Sequence, residues 1–378
     1  MTDFPMNVGF LCSEYPSLCP DHGGIGSFTQ TLARKLVGNG HKATVYAFTD
    51  RDAVLDDGGV EVIAVSREGG ILKATTKMRK RIRDDLKSGR IDVIESPECE
   101  SHCLPGGKGT IVRMHGSHHF WCRTLLQKRR LSRLLLEQLG IRSAHRLCAV
   151  SRYTAEVTRL AMHLAKRPIE ILYNPVDTDR LIPSPESVVK NRIVFVGSIV
   201  RKKGIMELCL SMAHVVKRYP DAELIVAGRD CPAPDGSPSF RRVIEGVLDA
   251  EPRRHIEFLG HVAHREIKDL MASAHVCVFP SHMETQGLVV AEAMACGRPV
   301  LVSDRGPGPE VLGTDGECGL LIDPEDPEDI SEKICAVLSG RENAGLMGAR
   351  GRLRAEGVFS LSACLEKTLQ FYGDAARR

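Results

Sequence analysis

The chain has 378 residues, 43% hydrophobic and 26% charged, which is too long for one ordinary core and about the length of two α/β domains. No run of roughly eighteen apolar residues is free of charge, even Leu288–Val302 being broken by Glu292 and Arg298, so no helical membrane span is expected. The formal net charge of +3 conceals +7 over residues 1–180 and −4 over residues 181–378.

Short apolar runs alternate with helical patterns, the signature of parallel sheets covered by helices. In the first half the reading is strands at Asn7–Cys12, Ala43–Phe48, Val60–Val65, Ile91–Glu95, Thr110–His115, Arg146–Val150 and Glu170–Leu172. Helices are read at Gly26–Gly38, Leu72–Ser88, Phe120–Leu139 and Ser151–Leu164. The pattern restarts after Tyr173-Asn174-Pro175-Val176-Asp177, and Ile182-Pro183-Ser184-Pro185-Glu186 reads as an interdomain linker. The second half reads as strands Arg192–Val196, Glu223–Ala227, His255–Phe258, Val276–Phe279 and Pro299–Val302. Its helices are Gly204–Arg218, Phe240–Ala250, Arg265–Ala272, Gly287–Cys296 and Glu328–Ser339, with a last one from Leu361 to Phe371. Two doubly wound domains in tandem follow, with ligands expected in a cleft between their strand C-terminal edges.

The start, Met1-Thr2-Asp3-Phe4-Pro5, has neither a basic stretch nor a long apolar one, so a cytoplasmic protein without a secretion signal is expected. Thirteen cysteines contain no Cys-x-x-Cys, and Cys12, Cys148, Cys277, Cys296 and Cys335 lie in or beside apolar segments, where a thiol behaves as a small hydrophobe. Cys99, His102 and Cys103 form the one cluster a metal could use, too few for structural zinc, so no metal is expected.

Two segments carry chemistry. Asp21-His22-Gly23-Gly24-Ile25-Gly26 lies between the first strand and the first helix, where glycines let backbone amides approach an anion and the helix dipole adds to the attraction. It matches only the opening of a dinucleotide fingerprint: about ten residues separate it from the strand, and Thr29 stands at the third glycine position. With Asp50 near a ribose-binding position, an NAD site stays open as an alternative, as does a purely conformational role for the glycines. In the second segment, Glu284 precedes Gly287-Leu288, which open a helix with free amides suited to a diphosphate, and Glu292 lies inside that helix. A carboxylate on each side can accept hydrogen bonds from sugar hydroxyls.

Pro280-Ser281-x-x-Glu284-x-x-Gly287-Leu288-Val289-x-x-Glu292-Ala293-Met294-Ala295-Cys296-Gly297-Arg298-Pro299-Val300 strongly resembles the retaining enzymes of glycosyltransferase family 4. The resemblance continues through Gly23-Gly24-Ile25-Gly26, Met114-His115-Gly116, Asn174-Pro175-Val176-Asp177, Val196-Gly197 with Lys203-Gly204, and Val226-Ala227-Gly228, in the family's order. It implies the α/β fold called GT-B, two Rossmann-like doubly wound domains facing each other across a cleft. They would be an acceptor-side domain over 1–180 and a sugar-nucleotide-binding domain over 181–359, with a C-terminal helix at about 360–378 returning to the first.

The implied roles are these. Glu284 would hold hydroxyls of the transferred sugar, and Glu292 with Val289 the nucleoside and its ribose. Gly23, Gly24, Arg201, Lys203, Gln286, Gly287 and Leu288 would bind the diphosphate. His115, Glu284 and Lys203 would be the catalytic residues, His115 bonding the sugar near its exocyclic group. The donor would be a UDP-sugar before a GDP-sugar, the acceptor a saccharide or lipid-linked saccharide, and no cofactor or metal would be needed. The chain departs from the family at Ser198, where arginine is usual, leaving Arg201 or Lys202 to reach that phosphate, and at Gln286, where phenylalanine is usual. A sugar-nucleotide epimerase, an NAD-dependent oxidoreductase and a silent binding subunit are the competing functions.

The surplus positive charge sits in Lys73–Arg90 and Arg123–Arg146. In the latter Leu125, Leu131, Leu134, Leu135, Leu136 and Leu139 fall on one side of a helix and Arg129, Arg130 and Arg133 largely on the other, with Leu126 among the arginines. Either the leucines pack on the domain core, or the helix lies at an anionic membrane surface on the cytoplasmic face. Neither segment has the interleaved aromatics of a single-strand nucleic-acid binder, so no nucleic acid is expected. The oligomeric state is left open.

Overall fold

The computed structural model describes residues 5–19, 23–125, 128, 130–164, 167–313 and 317–377. The chain divides into two compact units, Met1–Pro175 with Leu361–Arg378, and Val176–Ser360.

Unit 1 runs β1 (Asn7–Leu11), α1 (Gly24–Gly38), β2 (Lys42–Thr49), β3 (Ala53–Asp57), β4 (Val60–Ser66), α2 (Ile71–Lys87), β5 (Val93–Pro97) and β6 (Gly107–Met114). It continues with α3 (His118–Thr124), α4 (Leu131–Ser143), β7 (Ala144–Ala149), α5 (Arg152–Ala161) and β8 (Glu170–Ile171). Its sheet has the order β3-β4-β2-β1-β5-β6-β7-β8. Every neighbour is parallel except β3, which runs antiparallel to β4.

Two departures from the sequence reading have physical causes. The strand β3 was not expected: it is an edge strand with Val54 and Leu55 exposed, so it lacks a buried face to write a pattern. The expected helix Phe120–Leu139 is two helices. Ser117 caps α3 through the Phe120 amide, and the buried carboxylate of Glu137 in α4 accepts from the His118 amide at 3.0 Å, which places α4 beside the start of α3.

Unit 2 runs β9 (Arg192–Val196), α6 (Ile205–Arg218), β10 (Glu223–Ala227), α7 (Phe240–Val247), α8 (Ala250–Arg254), β11 (Ile256–Gly260), α9 (His264–Ser273) and β12 (Val276–Phe279). Then come α10 (Leu288–Ala295), β13 (Val300–Ser303), α11 (Gly308–Leu312), β14 (Leu320–Ile322), α12 (Pro327–Leu338) and α13 (Ala344–Arg354). The sheet is wholly parallel in the order β11-β10-β9-β12-β13-β14. The expected helix Phe240–Ala250 is interrupted at Leu248, whose extended backbone separates α7 from α8.

The last helix, α14 (Leu361–Arg377), belongs to unit 1. Its Leu365, Leu369 and Tyr372 share one core with Val8, Phe10 and Val93 of the sheet. Burying each such side chain contributes about 1.5–3 kcal/mol. A polar link is set into this apolar contact: Arg113 of β6 donates to both carboxylate oxygens of Glu95 at 2.8 and 3.1 Å, and the Tyr372 hydroxyl donates to the same Glu95 at 2.8 Å. All three are buried, so each polar group needs the others.

Candidate active site

In unit 2 the strand order reverses between β9 and β12, and open α/β sheets bind ligands at the strand ends beside such a reversal. The loops that follow these two strands lie against each other because Gly204 has no side chain. Its φ is +66°, and a Cβ there would stand 1.8 Å from the Pro280 carbonyl oxygen. The Met283 amide then donates to the Lys202 carbonyl at 3.3 Å.

This contact sets the charges. Lys203 Nζ donates to Glu284 Oε1, and Ser281 Oγ lies 3.4 Å from the same oxygen. Arg201 donates to Glu207 at the start of α6, and His282 Nε2 lies 3.1 Å from Arg201 and 3.2 Å from Glu207. Burial alone would raise the Glu207 carboxyl, but the bonds from His282 and Arg201 hold it below the usual carboxylate range. Burial and the neighbouring Lys203 both pull the Lys202 ammonium down. Arg201 and Lys203 thus have carboxylate partners.

Gly287, with φ +81°, turns the chain into α10, whose first residues are Leu288 and Val289. The first amides of a helix have no partner within it and favour an anion. A narrow cavity of about 20 Å³ beside them is lined by Ser281, Glu284, Gln286, Gly287, Val289 and Arg305. That is room for one water. One turn on, Glu292 lies deep enough that burial, acting alone, pushes its carboxyl up to about 7. Glu284 and Glu292 therefore differ: one is paired with a lysine, and the other is a half-buried carboxyl raised by desolvation.

His115, Gly23 and Gly24 belong to unit 1. His115 follows β6, its ring centroid 5.1 Å from that of Phe28, over which the Arg113 guanidinium sits at 4.9 Å. Burial and the Arg113 charge push the imidazole down to about 3, so it is neutral at ordinary pH. The Asn174 side-chain nitrogen lies 3.5 Å from Nδ1, an arrangement that makes Nδ1 the acceptor and leaves Nε2–H to donate. The His115 amide donates to both oxygens of buried Glu98, at 3.0 and 2.9 Å. Gly23 caps α1, and the amide of Gly26 is already taken by Glu14 Oε1 at 2.8 Å. His22 and Asp21 of the expected glycine segment lie outside the described residues.

The structure thus gathers Arg201, Lys203, Glu284, Gln286, Gly287, Leu288 and Val289 at one end of the unit 2 sheet, with Glu292 a turn further along α10. Sequence reasoning missed Glu207, His282 and Glu98. His282 was legible as a neighbour of Glu284, and Glu98 as one of three acids in Glu95-Ser96-Pro97-Glu98-Cys99-Glu100 ending a strand. Among the described residues no group of three or more His, Cys, Asp or Glu is placed to hold a metal. Nine of the thirteen cysteines are buried.

Family models place this arrangement. The model for glycosyltransferase family 4 matches residues 22–180, and that for glycosyl transferases group 1 matches residues 179–354. The chain belongs to glycosyltransferase family 4. It is similar to the MMP alpha-(1->4)-mannosyltransferase of Mycolicibacterium hassiacum, 29% identical over 262 residues, covering 68% of this chain and 61% of that one. It is also 27% identical over 373 residues to the GDP-mannose-dependent alpha-(1-6)-phosphatidylinositol monomannoside mannosyltransferase of Mycolicibacterium smegmatis, covering 90% and 92%. In structure it resembles a sucrose-phosphate synthase from Thermosynechococcus elongatus, with a TM-score of 0.78 at 20% identity and 98% of each chain covered. Anabaena HepE in complex with UDP aligns with a TM-score of 0.73 at 18% identity, covering 98% of this chain and 100% of that one. The family 4 protein is accordingly a glycosyltransferase of the two-domain GT-B fold. No helix among its described residues is long and apolar enough to cross a membrane.

Proposed function

We propose that the protein is a retaining, metal-independent hexosyltransferase that moves a sugar from a nucleoside diphosphate sugar to a saccharide or lipid-linked saccharide, in surface polysaccharide or glycolipid synthesis. The observation that carries this reading is the pair of carboxylates about the start of α10: Glu284 beside Lys203, and half-buried Glu292 one turn along the helix. In this reading the helix amides and Lys203 take the diphosphate, Glu292 accepts from the ribose, and Glu284 accepts from hydroxyls of the hexose. His115 donates to the hexose through Nε2.

The bond from the anomeric carbon to the diphosphate oxygen breaks through an oxocarbenium-like state. The acceptor hydroxyl oxygen bonds to that carbon from the same face, and its proton passes to the departing phosphate oxygen. Charge builds on the leaving diphosphate, which Lys203 and the α10 amides stabilise without a metal. A UDP-sugar is the donor the resemblance implies, while the Mycolicibacterium smegmatis relative is named for GDP-mannose. Incubation with UDP- and GDP-hexoses tests the reading. Nucleotide release that requires an added saccharide supports it; release or sugar isomerisation without one indicates an epimerase.

A membrane partner is part of the proposal. On α4 the buried residues are Glu137, Gly140 and Ile141, while Leu131 and Leu135 are 77% and 59% exposed. Leu136 and Leu139 are exposed too and Leu134 is half-buried; Arg133 and Arg142 are exposed with them, which corrects the expected division of leucines from arginines. Arg129 and Leu126 lie outside the described residues. An exposed leucine row interspersed with guanidinium groups complements an anionic bilayer surface, apolar to the acyl boundary and cationic to the headgroups. A lipid-linked acceptor at that surface follows.

A further inference from the structure

Unit 1 has a strand-order reversal of its own, between β1 and β5. A crevice of about 430 Å³ opens there, lined from the ends of three strands: Ser13 and Glu14 after β1, Asp50 after β2, and Glu100 after β5. Its volume lies in the range of small-molecule sites, about 300–1,000 Å³. It sits at the place in the sheet where doubly wound folds bind ligands.

The walls differ in kind from the site on unit 2. There the cations are matched by acids, Arg201 by Glu207, Lys203 by Glu284, and Arg305 by Asp323 and Glu325. Here three carboxylates, Glu14, Asp50 and Glu100, face one cation, Arg67. Arg67 is held over the Phe48 ring at 5.7 Å, and its charge acts on Glu100. Two of these carboxylates are half-buried and anchored by backbone: Glu14 Oε1 accepts from Gly26 at 2.8 Å, and both oxygens of Glu100 accept from the Ser13 amide at 3.2 Å. An ionised carboxylate offers about four acceptor positions, so each keeps capacity for further donors. Ile25 and Phe48 add apolar surface to the same crevice.

Hydroxyl groups donate to such walls, and a carbohydrate ring carries several around an apolar face. A phosphate ester is only an acceptor at neutral pH and would face the surplus of negative charge at short range. We propose that this crevice binds the acceptor as an uncharged saccharide terminus, its hydroxyls donating to Glu14, Asp50 and Glu100, and that it refuses phosphorylated sugars. The assignment rests on the glycosyl-transfer reading and adds to it the chemical class of the acceptor.

The test is saturation-transfer NMR on the full chain with neutral probes, methyl α-glucoside, methyl α-mannoside and maltose, against glucose 6-phosphate and mannose 6-phosphate. At least one neutral probe should bind in the millimolar range, at least tenfold tighter than either phosphate ester. Glu100→Gln and, separately, exposed Asp50→Asn should weaken that binding several-fold, while calorimetric nucleotide affinity stays as in the wild type. Asp50→Lys should narrow the preference against the esters. Binding of the esters as tightly as the neutral sugars, no response to any neutral probe, or neutral binding indifferent to both neutralising variants overturns the proposal. If sugar nucleotides bind and turn over while any of these holds, only the crevice assignment fails. If no sugar nucleotide binds, the function proposed above fails first.

Discussion

At the residue scale, Glu98 and His115, joined through the His115 amide, show how burial moves an acid and a base in opposite directions. Burial raises the Glu98 carboxyl to about 7, against an ordinary 4.5, although the His115 amide donates to it. A folded state that binds its proton more tightly than the unfolded chain loses stability as pH rises, here from about 4.5 through about 7. His115 works the other way: its imidazole is held down near 3, so stability falls as pH drops below the ordinary 6.5. Glu98→Gln should therefore lessen the decline on the upper side, leaving that of Glu292. By scanning fluorimetry in matched buffers, the melting temperature at about pH 7.5 relative to that at about pH 5 should be higher in the variant than in the wild type; an unchanged difference would show that Glu98 does not titrate in that window. Glu98 escaped the sequence reading because its role is to hold the backbone of His115, and a strand-end acid looks the same whether it caps a loop or binds a ligand.

At the element scale, α4 is the informative case. Its leucine content reads as a core helix, yet the side chains that go inside are Glu137, Gly140 and Ile141. The reason is the break before it: once Glu137 turns in to accept the His118 and His119 amides, the leucine row is left outward. The full chain should co-sediment with vesicles containing anionic lipid, less so at high salt, since exposed charges are screened within about 8–10 Å. Leu135→Asn and the pair Arg133→Gln with Arg142→Gln should each reduce binding. Equal partitioning onto neutral and anionic vesicles, or none onto either, would reduce these residues to solvated surface.

The elements the sequence showed well were the buried parallel strands, β1, β2, β4, β9, β10 and β12, whose short runs of Val, Ile and Phe are apolar on both faces. Those it hid depend on contacts. The edge strand β3 turns into β4 through Gly58-Gly59, both at positive φ, a hairpin signal overlooked between polar flanks. Helix α13 carries glycines that lower its propensity, and one of them, Gly348, lies so close to Gly297 that a Cβ would stand 2.2 Å from the Gly297 carbonyl oxygen.

At the scale of the whole molecule, each unit has one sheet and one strand-order reversal, and the two strand-end sites differ in charge, paired acids and bases in unit 2 and three carboxylates about one arginine in unit 1. The unit 2 site was legible because Glu284, Gly287 and Glu292 lie within nine residues. The unit 1 crevice was not, because Glu14, Asp50, Arg67 and Glu100 come from four separate segments and meet only in the fold. If Lys203 and the α10 amides supply the charge for the leaving diphosphate, sugar transfer should persist in excess EDTA. Loss of turnover on chelation, restored by magnesium or manganese, would contradict the metal-free mechanism.

The most direct test of the central claim is calorimetric titration of the full chain and of Glu292→Ala with UDP-hexoses, GDP-hexoses and NAD. The account predicts that one sugar-nucleotide class saturates the wild type, that NAD does not, and that Glu292→Ala binds about 1–3 kcal/mol more weakly, the cost of losing hydrogen bonds to a charged group. Unchanged nucleotide affinity in Glu292→Ala, or binding of NAD with no sugar nucleotide bound, would contradict it.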